Sequence, residues 1–256
     1  MTATTSAATA STATKGSRLV GAAALACLAF TLVMGLAVSP EDEVQGDAVR
    51  LMYVHVPSAW LAYVSFLVTA FASAMYLWRR TRSVTWDRVA GCSAEIGVVF
   101  TALALLTGMV WGRITWGQFW TWDARLTSTA LMFLSFLGYL ALRRQLVDPA
   151  ARARVSAVLG VLGLPFVVLV HQSVNWWDTT HQQATVLRPD RDPQIDGTML
   201  FTLFSGVVAF TLVYLWLMVH RNRVAMLEEI ADERGLDIAI AERRAESGLG
   251  GAEAAR

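Results

Sequence analysis

Charged residues are scarce in this chain. Asp, Glu, Lys and Arg make up only 16% of its 256 residues, whereas a soluble domain carries about 25%. Hydrophobic residues make up 55%, and the mean hydropathy is +0.47. These proportions argue against both a soluble globular protein and a disordered chain. The net charge of +1 excludes an extended basic surface, so we expect no nucleic-acid partner.

Cysteine is also scarce. The two residues of this type, Cys27 and Cys92, each lie within an apolar run. The sequence contains no CxxC, no CxxCH and no combination of Cys and His at the spacing of a zinc site. These absences argue against a thiol oxidoreductase, a zinc protein and a c-type cytochrome.

Long apolar runs, by contrast, dominate the sequence. A helix needs about 20 apolar residues to cross the roughly 30 Å of bilayer hydrocarbon. Six runs of about this length cover residues 19–39, 57–78, 89–111, 126–142, 155–171 and 199–219, and only Glu95 puts a charge well inside one. The first run is longer than the apolar part of a signal peptide, so we predict a retained helix. The sequence therefore predicts an all-α polytopic membrane protein with six transmembrane helices.

Both ends of the chain differ in composition from the six apolar runs. Residues 1–18 are rich in Ala, Thr and Ser, which predicts a disordered tail. Residues 221–256 form a charged C-terminal tail, in which 222–247 predict a helix that is interrupted near Gly235. The membrane domain is therefore assigned to residues 19–220.

The basic residues near the ends of the runs are distributed unequally. Cytoplasmic loops carry an excess of Lys and Arg, so both termini and both tails are predicted to be cytoplasmic. Loops 40–56, 112–125 and 172–198, which carry nine of the twelve acidic residues that precede the C-terminal tail, then face outward. The side assigned to the cytoplasm holds twelve basic residues close to the span ends: Lys15, Arg18, Arg79, Arg80, Arg82, Arg88, Arg143, Arg144, Arg152, Arg154, Arg221 and Arg223. The opposite side holds five: Arg50, Arg113, Arg125, Arg188 and Arg191.

Tryptophan is concentrated in the second outward loop, which contains Trp116, Trp120 and Trp122 followed by Asp123. On a helix, Trp116, Trp120 and Asp123 would lie on one side, at positions i, i+4 and i+7. Trp favours the membrane–water interface, which is one explanation of the cluster. Flat aromatic side chains also suit a flat apolar ligand. An interfacial belt and a ligand platform are both open at this point.

Three of the four histidines fall on the same side of the membrane as the Trp cluster. His55 stands at the mouth of the second span, His171 at the end of the fifth, and His181 ten residues later, whereas His220 borders the cytoplasm. A lone histidine is usually an ordinary hydrogen-bonded residue, but two imidazoles beside aromatic side chains could hold a porphyrin iron. Guanidinium groups could bind the two propionates of a haem. The nearby candidates are Arg50, Arg113, Arg125 and Arg188.

Taken together, these motifs resemble the CcmC family, the haem-handling membrane proteins of cytochrome c maturation. The run Trp116-Gly-Gln-Phe-Trp-Thr-Trp-Asp-Ala-Arg-Leu-Thr-Ser128 resembles the tryptophan-rich signature of the wider superfamily. The two segments His55-Val-Pro57 and Asn175-Trp-Trp-Asp-Thr-Thr-His181-Gln182 resemble the histidine motifs of CcmC itself. The resemblance covers about residues 19–220 and leaves out both tails.

The resemblance implies a protein of the cytoplasmic (inner) membrane that presents haem on its outer face to a haem chaperone. It implies no bond-making chemistry. The implied cargo is a haem b that is held transiently and without a covalent bond. The implied partners are the haem chaperone, a small single-span membrane subunit, and an ABC-type ATPase with its own permease.

The resemblance also implies roles for individual residues. The axial ligands of the haem iron fall on His55 and His181, which we expect to approach the iron from opposite faces. The haem-contacting motif falls on Trp116, Trp120, Trp122 and Asp123. Our candidates for binding the propionates are Arg125 and Arg50.

Two other functions are weighed against haem presentation. The first is a b-type cytochrome subunit of a membrane quinone oxidoreductase, which needs histidines within its spans. None of the predicted runs has one near its middle. The second is a permease, or a transferase acting on a lipid-linked substrate, with a metal held by outward-facing acids. Its candidate ligands Asp190, Asp192 and Asp196 belong to a segment that is typical of a turn-rich loop.

The predicted topology can be tested with reporter fusions. Fusions after residues 45, 120 and 190 should all report an external position, because the positive-inside rule places the basic loops in the cytoplasm. A cytoplasmic signal at position 120 would put the Trp cluster on the wrong side and would overturn the predicted site.

Overall fold

The computed structural model describes residues 13–181 and 195–253, and every regular element among them is helical. A π-helical turn (Met34–Val38) extends the first helix, and a 3-10 turn (Asp47–Leu51) leads into the second. The α-helices are α1 (Lys15–Val33), α2 (Met52–Leu77), α3 (Val84–Trp116), α4 (Ala124–Gln145), α5 (Pro149–Leu162), α6 (Leu164–Trp176) and α7 (Gly197–Glu253).

Six helical stretches in the described residues are long and apolar enough to cross a membrane. They coincide with the six predicted runs, so the prediction of an all-α polytopic protein with six spans is confirmed. Most of the helices extend past the runs, because polar residues continue them beyond the apolar segment. The stretches are Lys15–Val38, Asp47–Leu77, Val84–Trp116, Ala124–Gln145, Pro149–Trp176 and Gly197–Arg243.

The fifth span consists of two helices that meet at Gly163. Asp148 begins α5 by accepting hydrogen bonds from the N–H groups of Ala150 (3.2 Å) and Ala151 (2.9 Å). Pro165, near the start of α6, has no N–H to donate to the preceding turn. A Cβ at Gly163 would lie only 2.7 Å from Cζ of Phe136 on α4. The break therefore lies where Phe136 of α4 packs against this span.

Both predicted tails contain helix. Thr14 caps α1 in a capping box, in which the Ser17 N–H donates to Thr14 Oγ1 (3.2 Å) and the Thr14 N–H to Ser17 Oγ (2.8 Å). The last residues of the predicted tail 1–18 thus belong to the first helix.

The predicted interruption near Gly235 is wrong, because α7 continues without a break to Glu253. A single glycine costs a helix only about 1 kcal/mol relative to alanine.

Small residues bring α2 and α3 into close contact. A Cβ at Gly97 of α3 would lie 2.6 Å from Cε1 of Phe66 and 2.8 Å from Cβ of Ser65, both on α2. The Phe66 ring stacks on Phe136 of α4, with centroids 3.7 Å apart and an interplanar angle of 12°. Close packing of this kind stabilises helix pairs in a bilayer, where lipid tails are as apolar as the side chains.

Ion pairs join the helices at the end of the bundle that carries the start of α1. Arg143 of α4 donates to both carboxylate oxygens of Asp87 on α3, at 2.6 and 2.9 Å. Nε of Arg221 on α7 donates to Oε2 of Glu95 at 2.5 Å. The charge that the sequence places inside a span therefore has a cationic partner, 126 residues along the chain.

Three connections meet at the opposite end, which we call the loop end: residues 40–46, 117–123 and 177–181. Nε1 of Trp111, in the last turns of α3, donates to Oε1 of Gln45 at 2.7 Å. The hydroxyls of Thr121 and Thr180 lie 2.8 Å apart. The second and third loops therefore contact each other, and the first contacts α3, the helix that leads into the second loop. All three were predicted to lie on one side of the membrane.

A single methyl group should disturb the contact between α2 and α3. The change Gly97→Ala should destabilise the protein by about 1–3 kcal/mol, because the new Cβ overlaps Phe66 and Ser65. The measurement is unfolding in mild detergent. The matched control is Gly138→Ala on α4, where a Cβ meets nothing within 4 Å. Equal stability of the two variants would contradict the close approach of the helices.

Candidate functional site

His55 lies in the first turn of α2, with its imidazole against α3. Nδ1 lies 3.0 Å from the carbonyl oxygen of Ala104 and 3.2 Å from Oγ1 of Thr107. A carbonyl oxygen can only accept a hydrogen bond, so the Nδ1 atom carries the proton. Nε2 then keeps the lone pair that a metal ligand needs. Hydrogen bonds of this kind fix the orientation and tautomer of metal-binding histidines.

Gly108 provides the space for the His55 ring. A Cβ at this position would lie 2.9 Å from Cε1 and 3.3 Å from Nδ1 of His55. On the next turn of α3, the Trp111 ring lies edge-on to the imidazole, with centroids 5.6 Å apart. The side chain of His55 is thus held by α3 at three successive turns.

The Trp-rich segment is a turn rather than a continued helix. α3 ends at Trp116, and Gly117 follows in the left-handed conformation (φ 74°), which is the common way for a helix to end at glycine. Trp116, Trp120 and Asp123 therefore do not lie on one helix, and the i, i+4, i+7 spacing does not describe their arrangement. The Trp120 and Trp122 rings instead pack edge to face, 5.6 Å apart, and Trp122 is 84% exposed.

Asp123 begins α4 and also binds the third loop. Its Oδ1 accepts from the N–H of Leu126 at 2.8 Å. Its Oδ2 accepts from the N–H of Thr180 at 3.0 Å and from Oγ1 of Thr180 at 2.6 Å. Burial alone would raise the pKa of Asp123, but these hydrogen bonds outweigh it and hold the pKa below its ordinary value. The carboxylate is therefore ionised at neutral pH, and both of its oxygens accept hydrogen bonds.

The structure places His181 next to this contact. Its ring packs against Trp116, with centroids 6.2 Å apart, and Thr179 Oγ1 donates to its carbonyl oxygen at 2.8 Å. His181 and Arg125 both lie within electrostatic reach of the His55 imidazole. The two predicted iron ligands and one predicted propionate ligand thus share the loop end.

Arg125, in the first turn of α4, has one guanidinium nitrogen bound and another without a partner. Nη1 donates to the Tyr63 hydroxyl on α2 at 3.2 Å. Nε is buried and has no hydrogen-bond acceptor among the described residues. The Tyr63 ring lies edge-on to His171, with centroids 5.9 Å apart. His171 therefore lies one side chain away from Arg125, on α6.

Arg50 is bound to the chain itself. Nη1 donates to the carbonyl oxygens of Gly35 and of Ser39, the latter at 3.1 Å, where the first span ends. Nε donates to Oδ1 of Asp47 at 2.7 Å. The structure thus gives Arg50 a role in joining α1 to the start of α2, and its role toward a propionate stays a prediction.

Two of the three acidic residues of the metal-site alternative, Asp190 and Asp192, lie outside the described residues. The propionate candidate Arg188 lies outside them as well. Asp196 lies at the start of α7, where its Oδ1 accepts from the N–H groups of Thr198 (2.7 Å) and Met199 (3.3 Å). Among the residues that the structure describes, no group of three or more His, Cys, Asp or Glu could hold a metal ion.

Four residues at the site were missed by the sequence reasoning: Tyr63, Thr107, Gly108 and Thr180. Thr180 directly precedes His181, and this position next to a predicted ligand could have marked it as a candidate. The other three lie within apolar helices, and only the packing of α2 on α3 and α4 brings them to the site.

Comparison with known proteins identifies the family. The chain matches the family described as Heme exporter protein C over residues 2–236. It is 40% identical to the heme exporter protein C of Bradyrhizobium diazoefficiens over 213 residues, which cover 82% of this chain and 78% of the relative. The chain belongs to the heme exporter protein C family.

Two further relatives of this family come from distant organisms. The heme exporter protein C of Haemophilus influenzae is 35% identical over 207 residues, which cover 81% of this chain and 83% of the relative. A putative cytochrome c biosynthesis ccmC-like mitochondrial protein of Arabidopsis thaliana is 34% identical over 199 residues, 78% of this chain and 74% of the relative. The predicted resemblance to CcmC is confirmed, and with it a role in haem handling for cytochrome c maturation.

The loop end fits haem as the cargo of a heme exporter protein C. His55 is hydrogen-bonded through Nδ1, which leaves Nε2 as the ring nitrogen that could bind iron. Arg125 Nε and Trp120 Nε1 are buried donors for which the described part of the chain supplies no acceptor. A propionate carboxylate is an acceptor of the kind that a guanidinium binds strongly. The unpaired donors and the imidazole therefore match the two polar parts of a haem, its propionates and its iron.

The space at Gly108 gives a test of the His55 position. Gly108→Ala should lower haem affinity roughly 10–100-fold, because the added Cβ displaces an imidazole whose orientation matters for ligation. Titration of the purified protein with haem measures this affinity, and Gly138→Ala serves again as the neutral glycine control. Unchanged affinity in Gly108→Ala would show that His55 is not a ligand in the observed rotamer.

Proposed function

We propose that this chain binds haem at its loop end, on the outer face of the cytoplasmic membrane, and presents it to a haem chaperone for cytochrome c maturation. The observation that carries the proposal is that both histidines contact tryptophans in the last turns of α3, His55 edge-on to Trp111 and His181 packed against Trp116. The family supplies the cargo, because its members are named as haem exporters.

In this proposal, His55 and His181 are the two axial ligands of a non-covalent haem b. Two imidazoles fill both axial positions of the iron and leave no open position for oxygen, which suits carriage rather than catalysis. The hydrogen bond of His55 Nδ1 to the Ala104 carbonyl supports this role, because it leaves Nε2 as the atom that would bind iron.

The aromatic and cationic residues of the loop end complete the proposed site. Trp116, Trp120 and Trp122 form the apolar surface against which the porphyrin lies. Arg125 binds one propionate, for which its buried Nε is suited. Arg50 is the candidate for the second propionate, which would compete with the Asp47 carboxylate for the guanidinium Nε.

The proposed orientation follows from the charges at the two ends of the bundle. The end opposite the loop end carries the majority of the basic residues, which favours the cytoplasm. Both termini are then cytoplasmic, and the haem is presented on the outer face. Because no catalytic group is invoked, the protein acts as a haem-handling and transport component rather than an enzyme.

The proposed partners act at both ends. The haem chaperone docks at the loop end, where Trp122, Trp176 and Trp177 are exposed. An ABC-type ATPase with its permease and a small single-span subunit complete the complex. α7 offers these partners a cytoplasmic surface, because it projects beyond its span to Glu253 and exposes Leu236 and Ile238.

Visible spectroscopy of histidine variants tests the proposed ligands. His55→Ala and His181→Ala should each convert a six-coordinate haem to a five-coordinate or lost haem, because each removes one axial ligand. Added imidazole should partly restore the six-coordinate spectrum. Loading of the haem chaperone by either variant should fail.

Two other histidines provide matched controls. His171→Ala and His220→Ala should keep the six-coordinate spectrum, since His171 packs on Tyr63 and His220 on Trp216. If His171→Ala abolished the spectrum and His181→Ala preserved it, the second ligand would be His171 of α6 and not His181. If no variant changed it, the proposed site would be wrong.

A further inference from the structure

Asp123 connects the Trp-rich loop to the loop that carries His181. One oxygen, Oδ1, accepts from the Leu126 N–H and so caps α4. The other, Oδ2, accepts from both the backbone N–H (3.0 Å) and the hydroxyl (2.6 Å) of Thr180, and Thr121 Oγ1 lies 3.4 Å from the same atom. The two oxygens thus serve different parts of the chain.

The second set of contacts fixes the backbone immediately before His181. α6 ends at Trp176 and the described residues 177–181 are not helical, so His181 is not part of a helix. Thr180 is bound through its N–H and its hydroxyl, and that hydroxyl lies 2.8 Å from the hydroxyl of Thr121. The direction in which the chain enters His181 is therefore set by groups that belong to the start of α4.

We propose that Asp123 is a positioning residue that holds His181 beside His55 for iron ligation. The inference rests on the proposed haem site, and it assigns Asp123 a role through Thr180 instead of a contact with the porphyrin. Both oxygens of Asp123 already accept strong hydrogen bonds from the chain. An ionised carboxylate at this position also makes those hydrogen bonds stronger than a neutral acceptor would.

The change Asp123→Asn separates the two roles of the side chain. Asn caps helices about as well as Asp, so its oxygen can keep the bond to Leu126. Its NH₂ group then faces the N–H of Thr180, which is only a donor, so that hydrogen bond is lost. The hydroxyl of Thr180 can turn to accept from the NH₂ group, but this neutral hydrogen bond is weaker than the one to a carboxylate, and the contact between the loops is weakened. The matched control is Asp196→Asn, the same change at the start of α7, where both described side-chain hydrogen bonds run to one oxygen, Oδ1, from the N–H groups of Thr198 and Met199.

The spectrum of bound haem distinguishes a positioning role from a structural one. Asp123→Asn should give a five-coordinate haem that keeps His55 as its ligand, with affinity lowered roughly 10–100-fold. Added imidazole should restore the six-coordinate spectrum, because it occupies the position that His181 has left. Asp196→Asn should keep the parent spectrum and affinity.

A disulfide provides both a haem-free measurement and a rescue. The hydroxyls of Thr121 and Thr180 lie 2.8 Å apart, so cysteines at these positions should cross-link under mild oxidant. In haem-free protein, Thr121→Cys with Thr180→Cys should cross-link faster when Asp123 is present than when Asn replaces it, as read by mass spectrometry of the linked peptides. Once formed in the Asp123→Asn background, the disulfide should restore the six-coordinate spectrum, and reduction should abolish it.

Each outcome bears on one proposal. A six-coordinate spectrum and parent affinity in Asp123→Asn would overturn the positioning role and leave Asp123 as a helix cap alone. Loss of haem that neither imidazole nor the disulfide reverses would also overturn it, in favour of a direct contact. If the parent protein bound no haem, the proposed function would fail, whereas the haem-free cross-linking rates would still decide whether Asp123 joins the loops.

Discussion

The constraint on which this structure depends is the need of every backbone polar group to find a partner inside the hydrocarbon layer. Helices satisfy it within themselves, so the longer irregular segments among the described residues lie at the ends of the bundle. Both irregular segments of the site, the Trp-rich loop after Gly117 and the loop leading to His181, lie at one such end. A site built there is accessible to an acceptor in water, which a site at mid-membrane is not.

The two proposed iron ligands are held in different ways. His55 lies on α2 and packs into the space left by Gly108, with its Nδ1 bound to the Ala104 carbonyl of α3. His181 depends on hydrogen bonds between loops, chiefly those that Thr180 makes with Asp123. Loops held by few contacts open at lower free energy than packed helices. One proposed ligand therefore belongs to a packed helix and the other to a loop, an arrangement compatible with releasing a cargo.

Small residues serve both the fold and the site. Gly97 lets α2 approach α3 until Phe66 fills the space where a Cβ would be, and Gly108, three turns further along α3, does the same for His55. The ion pair of Glu95 with Arg221 then joins α3 to α7 near the opposite end. α3 is thus the helix that contacts the proposed iron ligand His55, the core residue Phe66 and the charged residue Arg221.

The sequence by itself determined the six spans, the grouping of His55, His181 and the tryptophans, and the family, because run length and residue type are local properties. Even the end of α3 was encoded locally, since Gly117 is a common helix terminator, although the Trp spacing suggested a longer helix. Only the tertiary structure decided that Asp123 binds Thr180 and that Glu95 pairs with Arg221, 57 and 126 residues away. Such partners depend on which faces of the helices pack together. That choice comes from the whole bundle and is not written in any one segment.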